Sequence, residues 1–372
     1  MQQQNIISSS CSATPTKFTH NFFSQHIKLI SLILIFLSVL IVAPPVPSLS
    51  SVFQSFANYS AAAYCKAPLD NWDCGEVCQA NAGTKVVKVF ENKDLHTKGF
   101  IAKDESEKLI VVSYRGTIPF DFKNIITDIK YFKKDYIIPN TRVHLGFYDA
   151  FLAIQPQVTD DVVKLHEDNP DFRIGFMGHS LGGALATFSA LDFIQKVPTL
   201  ANKNDQVFLS TFGQPRVGDK DFAKYAGDNL ITKRTIVKGD PIPRLPPRFP
   251  IPLFNGFYEH FGNEIYIDKP DTDPNSFIEL ENPEDPKGSE SVFPLFLKLK
   301  SHSGPYFGGV SMKDCDKKAN GQSVEDDDDK EFENYDFSRD PSFVYDPDYD
   351  YGVFFEVDGV KGVNGVNGTE GH

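Results

Sequence analysis

The fold turns on residues 173–188, RIGFMGHSLGGALATF. The first five residues and Phe172 form a short apolar run with strand character. The continuation, GGALATFSALDFIQKV, is helix-forming, with Ala184, Leu185, Phe188, Leu191 and Phe193 available for burial. Between them lies Gly178-His179-Ser180-Leu181-Gly182, a Gly-x-Ser-x-Gly pentapeptide placed between a strand and a helix. A turn this sharp strains the backbone of its serine, and glycines on both sides let strand and helix approach closely. The hydroxyl is then exposed above a sheet edge, at a helix N-terminus whose N–H groups face developing negative charge. Ser180 is the expected nucleophile.

Working outward, KLIVVSYRG (108–116), QVFLSTFG (206–213), RTIVKGD (234–240) and NEIYID (263–268) read as further strands. GFYDAFLAIQPQVTDDVVKLHED (146–168) reads as one long amphipathic helix, with Phe147, Phe151, Leu152, Ile154, Val158, Val162 and Leu165 toward one side. Strands alternating with helices predict an α/β domain with a mostly parallel central sheet. Neither a P-loop nor a Gly-x-Gly-x-x-Gly fingerprint is present.

A serine hydroxyl becomes a useful nucleophile when a base takes its proton and a third group orients that base. On such sheets the chain order is Ser, acid, His, with the acid at the carboxyl end of a later strand. Asp240 fits, since it ends RTIVKGD and is followed by a proline turn. Asp192 lies within a helix pattern, and Asp219 and Asp221 lie in a polar loop. His260 and His302 both follow Asp240 in the body, and spacing alone does not separate them. An oxyanion needs two donors. The N–H of Leu181 supplies one, and the N–H of Thr117, after the glycine that ends the KLIVVSYRG strand, supplies the other.

The net charge of −13 is uneven: residues 316–372 hold sixteen acids against five Lys or Arg. The body is nearly neutral, which argues against a nucleic-acid partner. The tail, with its acid run and Gly-Val-Asn-Gly repeat, is expected to be low-complexity and disordered. Residues Asp346, Asp348 and Asp350 have calcium-loop spacing, but Gly352 falls one place late and Val357 stands where a glutamate belongs. Near the N-terminus, Leu29–Ala43 is apolar apart from two serines and stops at Pro44. It is expected to be a secretory h-region with cleavage after Ser50, the rival reading being a membrane anchor through residues 29–43. The expected organisation is leader 1–50, catalytic domain 51–315 and tail 316–372. Removing Cys11 with the leader leaves Cys65, Cys74, Cys78 and Cys315, an even number suited to disulfides outside the cell. Asn58-Tyr59-Ser60 and Asn367-Gly368-Thr369 are glycosylation sequons.

Several stretches of residues 51–315 together resemble the class 3 triacylglycerol lipases secreted by filamentous fungi. These are SAAAYC (60–65), NWDCGEVC (71–78), SYRGT (113–117), GHSLGGALA (178–186), TFGQPRVGD (211–219), GDPIPRLPP (239–247) and HSGPYFG (302–308). The resemblance implies an α/β-hydrolase fold and an ester hydrolase with no cofactor, no metal and no required protein partner. It places the catalytic histidine in the closing segment, which selects His302, and it pairs Cys65 with Cys315, leaving Cys74 with Cys78. Three residues separate that second pair here where the family has two. TIPFDFKNIITDIKYFKKDY (117–136) aligns with the lipase lid, and Ile118, Phe120, Phe122, Ile125, Ile126 and Ile129 give it the apolar face a lipid–water interface requires. The lid tryptophan usual in the family is absent, Trp72 being the only tryptophan. Acylglycerol is thus the expected substrate. The alternatives are a phospholipase or feruloyl esterase of the same fold, or a non-catalytic membrane-anchored relative.

Overall fold

The computed structural model describes residues 47–66, 69–117, 132–201, 206–248, 257–316 and 337. The apolar run 29–43, the lid residues Ile118, Phe120, Phe122, Ile125, Ile126 and Ile129, the acid run, the calcium-like spacing and Asn367 lie outside these described residues.

Among the described residues there are ten strands: β1 (Thr84–Asn92), β2 (Thr97–Asp104), β3 (Leu109–Tyr114), β4 (Lys133–Asp135), β5 (Arg142–His144), β6 (Arg173–His179), β7 (Val207–Phe212), β8 (Ile231–Val237), β9 (Asn263–Ile267) and β10 (Ile278–Leu280). Eight form one sheet in the order β1-β2-β3-β6-β7-β8-β9-β10, and β4 pairs with β5. The pairings from β3 to β9 are parallel. Antiparallel partners close both edges, β1–β2–β3 at one and β10 at the other. Alternation within the parallel strands sorts the core into two layers. Ile110, Val112, Ile174 and Phe176 face one layer, while Leu109, Val111, Met177 and Val237 face the other.

The first layer is filled by α3 (Leu145–Leu152), α4 (Thr159–Asp168), α5 (Leu181–Lys196) and α6 (Lys220–Asn229), which follow α1 (Leu49–Ala62) and α2 (Glu76–Gln79) in the chain. In α5, Ala184, Leu185, Phe188, Leu191 and Phe193 are all buried, as the pattern required. Each large side chain removed from water this way contributes about 1.5–3 kcal/mol. The opposite face is covered by α1, whose Phe53, Phe56 and Tyr59 pack with Tyr306 and Phe307 from the chain's closing segment.

Two expectations need correction. Residues 146–168 are not one helix: α3 ends at Leu152, a short 3₁₀ turn occupies Gln155–Gln157, and α4 begins at Thr159. Pro156 is the cause, because it lacks an N–H and disfavours helical geometry in the residue before it. Leu152 consequently turns outward, while Phe147, Phe151, Ile154, Val158 and Val162 remain buried. Helix α1 begins at Leu49 and is capped by Ser48, which accepts from the Ser51 N–H at 3.2 Å. Finally, Asn58 is a poor glycan acceptor in the folded chain. It is buried within α1 and donates its amide to the Gln54 carbonyl at 3.0 Å.

Candidate active site

The pentapeptide forms the predicted junction between β6 and α5. Ser180 has φ 57° and ψ −130°, a conformation that L-residues rarely adopt and that costs about 1–3 kcal/mol. Its neighbours show why glycine is needed. A Cβ on Gly178 would collide with the Gly182 carbonyl, and one on Gly182 would collide with the carbonyl of Tyr114 on β3. Strand β6, helix α5 and strand β3 are therefore packed backbone to backbone around the serine.

Asp240 follows β8, where its N–H donates to the Val237 carbonyl at 3.1 Å and its Oδ1 accepts from the Ile242 N–H at 2.9 Å. His302 sits in a 3₁₀ turn, Leu299–Ser303, and its Nδ1 lies 2.8 Å from Asp240 Oδ2. Nδ1–H is thus the donor to the carboxylate, which leaves Nε2 as the basic nitrogen. Gly213, at the end of β7, makes room for this pair: a Cβ there would fall 2.8 Å from both Asp240 Oδ2 and His302 Nδ1. Burial lowers the His302 imidazole to about 3 and raises the Asp240 carboxyl to about 8, the latter against the Ile242 N–H bond. Charge on either member alone is disfavoured, so the resting imidazole is neutral, the form a general base requires.

The other candidates have structural partners. His260 is held by the Pro243 carbonyl at 2.7 Å, and Asp192 accepts from Gln155 and Thr159. Asp219 caps α6 through the Phe222 N–H at 2.9 Å. The loop after Asp240 is fixed by Arg216, from the GQPRVG stretch. Its Nη1 donates to the carbonyls of Arg244 and Pro246, while Glu284 and Glu290 offset its charge at 2.8 and 2.6 Å.

Tyr64 and His179 were missed in the sequence. The Gly116 N–H donates to Tyr64 Oη at 3.0 Å, Tyr64 donates to His179 Nδ1 at 2.6 Å, and His179 Nε2–H donates to the His302 carbonyl at 2.7 Å. Tyr306 donates to the same carbonyl at 2.9 Å. The rings of His179 and His302 lie against each other at a 38° tilt, with centroids 4.3 Å apart. This chain ties the loop bearing Thr117 to the serine turn and the histidine turn. Gly116 also lies so near the serine that a Cβ on it would be 2.9 Å from the Ser180 Cβ. The available signals were modest: His179 is the x of the pentapeptide, and Tyr64 stands in the quoted SAAAYC. Cys65 is bonded to Cys315 and Cys74 to Cys78.

A strained serine at a strand-to-helix turn, with Asp240 just past the carboxyl end of β8 bonded to His302 in a later 3₁₀ turn, defines a serine ester hydrolase of the α/β-hydrolase type. Residues 111–249 match the family described as "Lipase (class 3)". A lipase of Rhizomucor miehei is 33% identical over 259 residues, covering 68% of this chain and 67% of its own length. Secreted mono- and diacylglycerol lipase 1 of Fusarium solani is 30% identical over 230 residues, covering 59% of this chain and 63% of its own. The solved triacylglyceride lipase of Rhizomucor miehei superposes with a TM-score of 0.63 at 30% identity, covering 72% of this chain and 98% of that one. This chain spans half to two thirds of the length of such full-length relatives. It belongs to the class 3 lipase family.

Proposed function

We propose that this enzyme hydrolyses the fatty acyl esters of triacylglycerols at a lipid–water interface, with Ser180, His302 and Asp240 as its triad. The observation that carries the reading is the His302–Asp240 hydrogen bond at 2.8 Å beside the strained Ser180 turn. In the first step, Ser180 Oγ attacks the ester carbonyl as His302 Nε2 takes its proton. The oxyanion is held by the N–H groups of Leu181 and Thr117. The imidazolium, stabilised by Asp240, then protonates the leaving alcohol, and an acyl-serine remains. Water activated by the neutral imidazole attacks that ester, releasing the fatty acid and restoring the hydroxyl. This chemistry requires no cofactor.

The substrate reading rests on the relatives' own substrates and on the apolar residues of the stretch 118–129. Secretion is supported by the secreted relative, by the apolar run 29–43 and by the four paired cysteines. Among the described residues, no helix is long and apolar enough to cross a membrane. The organisation proposed with it is a leader over residues 1–50, a catalytic domain over 51–315 and an acidic tail over 316–372.

Rates on emulsified triolein, phosphatidylcholine, a feruloyl ester and a dissolved short-chain ester test the substrate. Triolein is expected to be hydrolysed fastest, with activity rising once the substrate exceeds its solubility. Faster turnover of phosphatidylcholine or the feruloyl ester would transfer the assignment to those classes.

A further inference from the structure

Residues 292–300, VFPLFLKLK, lead into His302 and take no part in the chemistry above. The segment is firmly held from beneath. Val292, Pro294 and Leu297 are buried, and Arg244 Nη1 donates to the Val292 carbonyl at 2.6 Å. The Lys298 N–H donates to the Gly239 carbonyl at 2.8 Å, next to Asp240, so the segment lies against the site's rim. A 3₁₀ turn over Pro294–Phe296 points the intervening side chains outward: Phe293, Leu295 and Phe296 are 38, 56 and 64% exposed. The rings of Phe293 and Phe296 meet edge to face at 6.4 Å.

Three large apolar side chains held outward on an anchored turn are a cluster, unlike the scattered exposed residues of any surface. Exposed Lys298 and Lys300 follow directly, and neither forms an ion pair among the described residues. An apolar tip bordered by cations suits a surface that is apolar inside and negative outside. Ester hydrolysis makes such a surface, because every turnover leaves a fatty carboxylate at the lipid boundary.

We propose that residues 293–300 form a docking element that seats the rim of the catalytic site on a lipid surface bearing fatty carboxylates. The proposal rests on the ester-hydrolase reading and adds to it a fixed anchor, separate from the expected lid. Phe293, Leu295 and Phe296 enter the acyl layer, while Lys298 and Lys300 pair with carboxylates at its edge. Product would then tighten docking as the reaction proceeds.

The test is flotation of the full chain, in a Ser180→Ala background, with phosphatidylcholine vesicles with or without oleate. A third set of vesicles carries phosphatidylglycerol in place of oleate. Leu295→Ser/Phe296→Ser should weaken flotation on oleate vesicles roughly tenfold or more. Lys298→Glu/Lys300→Glu should weaken it on oleate vesicles by a similar factor and leave neutral vesicles nearly unaffected. Undiminished flotation of both variants would overturn the proposal. Stronger dependence on phosphatidylglycerol than on oleate would overturn the choice of fatty carboxylate. A dimer that dissociates in Leu295→Ser/Phe296→Ser would assign the patch to a second copy instead. Hydrolysis of a dissolved ester by the chain with Ser180 intact is read separately. Patch-dependent flotation without that activity removes the hydrolase reading alone, and activity with patch-independent flotation removes the docking element alone.

Discussion

Tyr64 illustrates how one hydroxyl can coordinate separate parts of a site. Its oxygen accepts from Gly116, beside the proposed oxyanion donor Thr117, and its proton goes to His179, which in turn holds the His302 carbonyl. Burial keeps it protonated, raising its pKa above the phenol range against the Gly116 N–H bond, which lowers it. Tyr64→Phe keeps the ring and removes the bridge, leaving a buried N–H and a buried imidazole nitrogen unsatisfied. The expected outcome is a drop in kcat on a dissolved ester of roughly tenfold, smaller than the loss of an oxyanion donor. KM should change little, and an unchanged kcat would show that the chain has no bearing on catalysis. At this scale the sequence was readable where a residue type has one use. The strained turn at Ser180 was legible from its glycines, and the place of Asp240 from its strand end. Tyr64 was not, because a tyrosine near a helix end has many uses and its partners lie 52 and 115 residues away.

Among elements, the parallel strands were the most legible, since LIVV, IGFM and VFL are continuous apolar runs of the kind a doubly covered sheet accommodates. The edge strands β1 and β2 were not recognised. The burial of β1 is mixed along its length and its register shifts between Val86 and Lys88, so no clean alternation marks it. The break between α3 and α4 could have been read from Pro156, had the proline been weighed above the apolar spacing. The proposed lid belongs to this scale also. Residues 118–129 are proposed to cover the acyl groove and turn their apolar face to lipid, offsetting the cost of opening by roughly 25 cal/mol per Å² of apolar surface buried. Phe120→Ser/Phe122→Ser should therefore lower the rate on emulsified triolein several-fold more than the rate on a dissolved ester. Equal losses on both substrates would contradict a mobile lid.

For the whole molecule, acid sensitivity follows from the buried histidines. His144 and His302 are lowered to about 3 by burial, and His179 and His260 lie well below 6.5 for the same reason. Their folded pKa values are depressed, so the unfolded chain binds more protons below the ordinary value of 6.5. Stability from these groups is present above that value and is lost as the pH falls toward the folded values. Asp240 and Glu264, raised by burial to about 8 and 7, act in the opposite direction, but they are two groups against four. The thermal midpoint should be several degrees lower at pH 5 than at pH 7. An equal or higher midpoint at pH 5 would contradict this balance.

The same scale shows what sequence reading could reach only through resemblance. Cys65 and Cys315 are 250 residues apart, and His302 meets Asp240 across 62. No local pattern encodes such contacts; the sheet order creates them. The central claim, that these distant segments assemble one ester-cleaving triad at Ser180, is tested most directly by reaction with a fluorophosphonate, with the modified residue located by peptide mass. The account predicts stoichiometric labelling on Ser180, abolished by His302→Ala and retained in a folded His260→Ala variant. Labelling elsewhere, no labelling, or a dependence on His260 with none on His302 would contradict it.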